Sequence, residues 1–242
     1  MSDPSGPLLS VSGEARRTVA PDYAILAGAI SASRPAKPDA VTAVAQDLDR
    51  LIADLAQLGG VALGPESGRR PLTWSAQSAT THPERDYNEE TRRDEPTGRV
   101  IATVAVLVGV RAFEMLDALG AVLTTHETLS VHDVTWGVDW DNPAWPAVRA
   151  AAIQAATGKG RDYAAALGGS LVRVEHIADA GLLGGGDGAA YRLTGAARGA
   201  RAMPASVSGG QGDQPSLDPV PQELTAAIEA RFTAAGVSLP EA

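Results

Sequence analysis

Residues 151–170 read AAIQAATGKG RDYAAALGGS, and the reading of TGKG within them decides between two folds. As a phosphate-binding loop it puts the chain among nucleotide enzymes. As the interior of an alanine-rich helix it leaves a protein without that chemistry. A Walker A loop runs glycine, four residues, then Gly-Lys-Ser/Thr, so that backbone N–H groups wrap the phosphates and a hydroxyl reaches magnesium. With Gly158 and Lys159 in the fixed places, the leading glycine would fall on Ile153, and Gly160 supplies no hydroxyl. Trp145, Val148, Ala152, Ala156, Gly160, Tyr163 and Leu167 instead recur at helical spacing. Small residues there let a helix approach a sheet closely, and such packing offsets the roughly 1 kcal/mol that a helical glycine costs against alanine. TGKG is a helix interior, within a helix over residues 142–167.

Strands flank this helix. Residues 128–140 read as a strand whose apolar phase slips, from Leu129 and Val131 to Val134, Trp136 and Val138. A slip in a two-residue period predicts a bulge near His132-Asp133. Residues 171–178 form the next strand, and a Gly/Pro/Ser-rich loop follows over residues 181–218. In 223–233, Leu224, Ala226, Ile228, Ala230 and Phe232 alternate with Glu223, Thr225, Glu229 and Arg231. That alternation favours a closing strand over the helix that propensity alone allows.

Toward the N-terminus, 9–19 and 23–33 alternate as two strands joined at Ala20-Pro21-Asp22. Val41, Val44, Leu48, Leu51, Leu55 and Leu58 lay one apolar stripe along a helix over 38–58, which Gly59-Gly60 ends. Strands at 71–80 and 98–110 enclose THPERDYNEETRRDEPTG, whose mixed charge suits a solvated, mobile hairpin loop. A short helix at 112–123 completes the set. The fold class is α+β: a mixed or antiparallel sheet of about seven strands with three helices packed on it, as a single domain over 8–234.

Composition removes several function classes. The chain of 242 residues carries a net charge of −9, which opposes binding to nucleic-acid phosphates. It has no cysteine, hence no disulfide, thiolate catalysis or cysteine-held zinc. The longest apolar run, Val100–Val110, is about half of the ~20 residues a membrane-spanning helix needs. The leader MSDPSGPLLSVSGEARR has no basic or apolar signal-like region, so a cytoplasmic protein is expected.

Site motifs are sparse. GLLGGGDG fails the G-x-G-x-x-G pattern, since after Gly184 and Gly186 the sixth place is Ala189. His82, Glu84 and Asp86 alternate along the charged segment and are the weak candidates for a metal, although Arg85, Arg92 and Arg93 beside them oppose a dication. His126, His132 and His176 are scattered without a ligand or catalytic spacing, and Trp136, Trp140 and Trp145 read as core and rim packing. No catalytic residue, cofactor or metal is assigned.

SVSGEARRTVAPDYAILAGAISA (10–32), His82-Pro83 through Gly98-Arg99-Val100-Ile101-Ala102, and ALGGSLVRVEHI within Val131–Ile177 together resemble the SIMPL-domain family. The first is similar to its V-x-G opening and V-x-P-D-x-A turn, the second to its hairpin and Gly-Tyr-Arg-Ala strand, the third to its A-L-G-x-x-L-G-x-V block. Here Arg99-Val100 replaces the usual pair, and 219–233 fits the closing strand. The resemblance implies paired strands and helices, frequent oligomers, exported stress-defence relatives and no established catalytic residues.

Two functions compete. One is a non-enzymatic protein acting through self-association or a protein partner, as a homo-oligomer built on the edge strands 71–80 and 223–233. There Trp74 would need cover, and lysine at Ala226 or Ile228 would dissociate the assembly more than lysine at Gln57. The other is a small-ligand or metal-binding protein, or an enzyme, using the hairpin 82–99.

Overall fold

The computed structural model describes residues 6–183 and 217–238. In chain order the elements are β1 (Leu8–Val19), β2 (Tyr23–Arg34), α1 (Lys37–Gln57), β3 (Val61–Ala62), β4 (Leu72–Ala76), β5 (Thr80–Asn88) and β6 (Arg93–Val110). A short 3₁₀ turn (Phe113–Met115) leads into α2 (Leu116–Thr125), then β7 (Leu129–Gly137), α3 (Trp145–Ala166), β8 (Ser170–Asp179) and β9 (Gln222–Ala235). The class is α+β. The described residues hold nine strands rather than about seven, because the two-residue β3 and the whole of β5 were not expected. They form two sheets, one ordered β1-β9-β8 and one ordered β3-β4-β6-β2-β7 with β5 added on β6. The described elements group into two compact units, one of β1, α3, β8 and β9, the other of β2 through β7 with α1 and α2.

In the larger unit, β2 and β6 run antiparallel with Ala24 opposite Val110, Leu26 opposite Val108 and Ile30 opposite Val104. These six side chains are buried with Val44, Leu51 and Leu55 of α1. Burying a leucine or valine stabilises by about 1.5–3 kcal/mol, so this layer holds the helix on the sheet. On β7, Ala27 faces Asp133 while Gly28 faces Val131, so His132 is the extra residue of the expected bulge. Trp136 is buried, with Phe113 edge-on at 5.5 Å between ring centres.

In the smaller unit, β9 is the central strand, paired along its length with β1 and also with β8. That corrects the expectation of an edge at 223–233. Ala226 and Ile228 are buried core, so lysine there would break the fold, not an assembly. The alternation of β9 exists because Leu224, Ile228 and Phe232 pack in one cluster with Val148, Ala152 and Ala156 of α3.

TGKG lies inside α3 as read. A Cβ at Gly160 would come within 3.1 Å of the Phe232 ring, and Lys159 Nζ donates to the Ser12 carbonyl at 2.6 Å. Toward the helix end the buried position is Ala164, and Tyr163 is exposed, so the apolar stripe drifts by one residue. Trp140 is also exposed, against the packing role expected of it.

Candidate functional site

The segment 82–99 is a two-stranded ribbon, not a loop: His82 faces Ile101, Asp86 faces Glu95 and Asn88 faces Arg93. Charge density misled the reading, because a ribbon solvated on both faces needs no apolar alternation. At its turn, Asn88 Oδ1 accepts from the Glu90 and Thr91 amides at 2.9 and 3.2 Å. The register slips between Pro83 and Arg85, which sets Thr97, Gly98 and Arg99 opposite Glu84. Gly98 takes a φ of 78°, which glycine adopts without strain.

This slip governs the candidate ligands. Alternate residues share a face only along a regular strand, and Glu84 sits in the irregular part. Its Oε2 accepts from Thr97 Oγ1 at 2.8 Å and lies 3.4 Å from Arg99 Nε. Arg99 in turn donates to Ser33 Oγ and to the Ser33 carbonyl, each at 2.8 Å. The Thr97 hydroxyl, then that of Ser33, then the Arg99 charge hold the Glu84 carboxyl below its usual range. Asp86 Oδ1 accepts from the Tyr87 amide at 2.9 Å. Among the described residues, no group of three His, Asp or Glu side chains is placed to hold a metal ion. Glu84 is a clamp between the two strands of the ribbon, through Thr97 and Arg99.

The other histidines are dispersed. His126 Nε2 lies 3.0 Å from Asp54 Oδ2, tying the end of α2 to α1. His132 is the bulged residue of β7, and His176 faces Arg231 on β8. Of GLLGGGDGAA, residues 184–190 lie outside the described residues.

A cleft of about 270 Å³ opens in the larger unit, and sequence reasoning missed it. Three stretches build it: the start of β2 (Tyr23, Ile25), β4 (Thr73, Trp74, Ser75) and the end of β6 (Leu107, Gly109). The register aligns Ile25 and Thr73 with Gly109, so all three lie on the sheet face opposite the α1 core. Gly109 keeps the floor low, since a Cβ there would stand 2.7 Å from Thr73 Oγ1. Leu107 and Ile25 remain 42% and 37% exposed, although each lies in the middle of a sheet. Arg70 and Arg111 also line the cleft, and Arg111 stacks over the Tyr23 ring at 5.1 Å from its centre. The lining includes no Asp or Glu. No motif spacing announces such a site, because its residues come from positions 23 to 111 and meet only through the sheet register.

Strands and helices in this order carry the motifs of the opening, the ribbon and the α3–β8 junction on their structural turns. The profile of the SIMPL family, described as a protein of unknown function (DUF541), matches residues 9–232. The chain belongs to the SIMPL family. The match runs from β1 into β9, so both sheets of this SIMPL protein fall within it. None of the curated proteins compared with it matches. Among its described residues, no helix is long and apolar enough to cross a membrane.

Proposed function

We propose that this SIMPL protein acts by association rather than catalysis, and that it self-associates through β8. The observation that carries this reading is the exposure of β8: Val172, Val174 and Ile177 are 49%, 52% and 47% exposed on a strand that, among the described residues, is paired on one side only. Val174 and Ile177 face Phe232 and Ala230 in the register, which are buried, so the same sheet is covered at its centre and bare at its rim. Apolar side chains grouped at an edge mark interaction surfaces. The register of β8 slips twice, at Leu171/Arg173 and at Val174/His176. Bulges blunt an edge against pairing with another strand. Side-chain packing is therefore the mode, and a continuous intermolecular ladder is not.

Sedimentation velocity at micromolar concentration tests it. The wild type should sediment as an oligomer, and V174K/I177K as a species of 24.8 kDa. Both positions are exposed, so the double variant should keep the wild-type melting temperature within ~2 °C, as surface changes outside special sites do. A wild type that is monomeric throughout overturns the reading.

A further inference from the structure

We propose that the outer edge of β1 is a strand-docking surface held closed by Lys159, and that the strand it fits is β1 of a second copy. This goes beyond association through β8 and concerns the opposite edge of the same sheet. Three observations carry it. The first is direction. The Pro7 carbonyl accepts from the Ala234 amide at 3.1 Å, and the register with β9 runs from Leu8 to Val19 without a slip. Odd-numbered residues therefore turn their backbone groups toward β9, and Leu8, Ser10, Ser12, Glu14, Arg16 and Thr18 turn theirs outward. Among the described residues, these outward groups have no backbone partner.

The second observation is what guards them. Slips and bulges blunt an edge against other strands, and the edge strands β8 and β7 both carry them. β1 has no slip, proline or lysine of its own. Its guard comes from α3: exposed Lys159 reaches the outward Ser12 carbonyl, with Nζ donating at 2.6 Å. The lysine of TGKG thus holds a carbonyl, not a phosphate. The third observation is self-complementarity. Antiparallel pairing of two copies about a two-fold axis at Ala15 sets Glu14 of each opposite Arg16 of the other, and Ser12 opposite Thr18. Opposite charges facing each other across a strand pair are favourable. The pairing also needs the Ser12 carbonyl for the Thr18 amide of the second copy, and Lys159 already occupies it. A foreign peptide would draw its specificity from pockets for alternate side chains. Ser10, Ser12, Glu14 and Arg16 are exposed and polar and offer none.

K159M keeps the aliphatic stem and removes the donor, whereas K159R keeps a donor. Both are made in the full wild-type chain and in V174K/I177K, so the β8 reading stands or falls separately, on the wild type. In either background K159M should raise the association constant at least about tenfold over its Lys159 parent in sedimentation velocity, since a hydrogen bond from a charged group no longer opposes docking. K159R should match the parent. A melting temperature within ~2 °C of the parent, as for other surface changes, separates docking from unfolding. Amide exchange at Ser12, Glu14 and Arg16 should slow in K159M as concentration rises. E14R added to K159M sets arginine against arginine and should abolish the gain, and E14R/R16E should restore it. The proposal is overturned if K159M sediments as its parent at every concentration, or if K159R associates as K159M does. It is also overturned if K159M associates without slowing those amides, or if E14R leaves the association intact.

Discussion

At Gly13 an added methyl group would stand 2.1 Å from the Ala152 carbonyl oxygen and 2.8 Å from the Ala156 Cβ. Two glycines of α3, separated by Lys159, differ from each other: Gly160 meets Phe232 and Leu171 side chains, while Gly158 meets nothing within 4 Å. Contact distance therefore sorts them. G13A should destabilise by about 3 kcal/mol, the upper part of the overpacking range, because a backbone carbonyl blocks it. G158A should stabilise by about 0.5–1 kcal/mol, because alanine restricts the unfolded chain and suits a helix. Urea midpoints of the two variants check both signs. A phosphate-binding reading of TGKG would instead make Gly158 sensitive to any side chain.

The elements whose solvent and core faces differ were legible. The stripe of α1, the alternation of β2 and β9 and the slip at His132 each follow from a period meeting a buried layer. The ribbon of β5 and β6 was not, since a strand exposed on both faces carries no such period. Nor was the cleft, whose residues share a face only through register. The ribbon also titrates in a definite direction. The Glu84 carboxyl lies below its usual range when folded, so its contribution is fully present above the unfolded value of about 4.3. It is lost as pH falls through the lower folded value. Amide exchange of residues 84–97, corrected for intrinsic rates, should accelerate in the wild type as pH drops below about 4. E84Q should show the faster exchange already at neutral pH, with little further change. Equal protection in both proteins at neutral pH would remove the clamp from the account.

At the scale of the whole molecule, the smaller unit is drawn from distant parts of the chain, with β9 between β1 and β8. Deleting residues 222–242 removes the partner of both remaining strands and the apolar residues under α3. The expected outcome is loss of exchange protection throughout β1, α3 and β8, with protection retained in β2 and β6, whose partners are all local to the larger unit. Uniform loss across both units would show that they unfold as one.

The pairing of Leu8 with Thr233 has a consequence for how the protein is born. A ribosome delivers β1 before β9 with most of the larger unit in between, so the nascent β1 waits through that synthesis for the ladder partner it has among the described residues. The larger unit, with its neighbours closer in sequence, is free to form in the meantime, since domains fold as they emerge. Closing a ladder over so long a separation is slow. During that interval Val11 and the small-residue face around Gly13 stand open to chaperones and to other chains, and the emergence of β9 is what lets the smaller unit close.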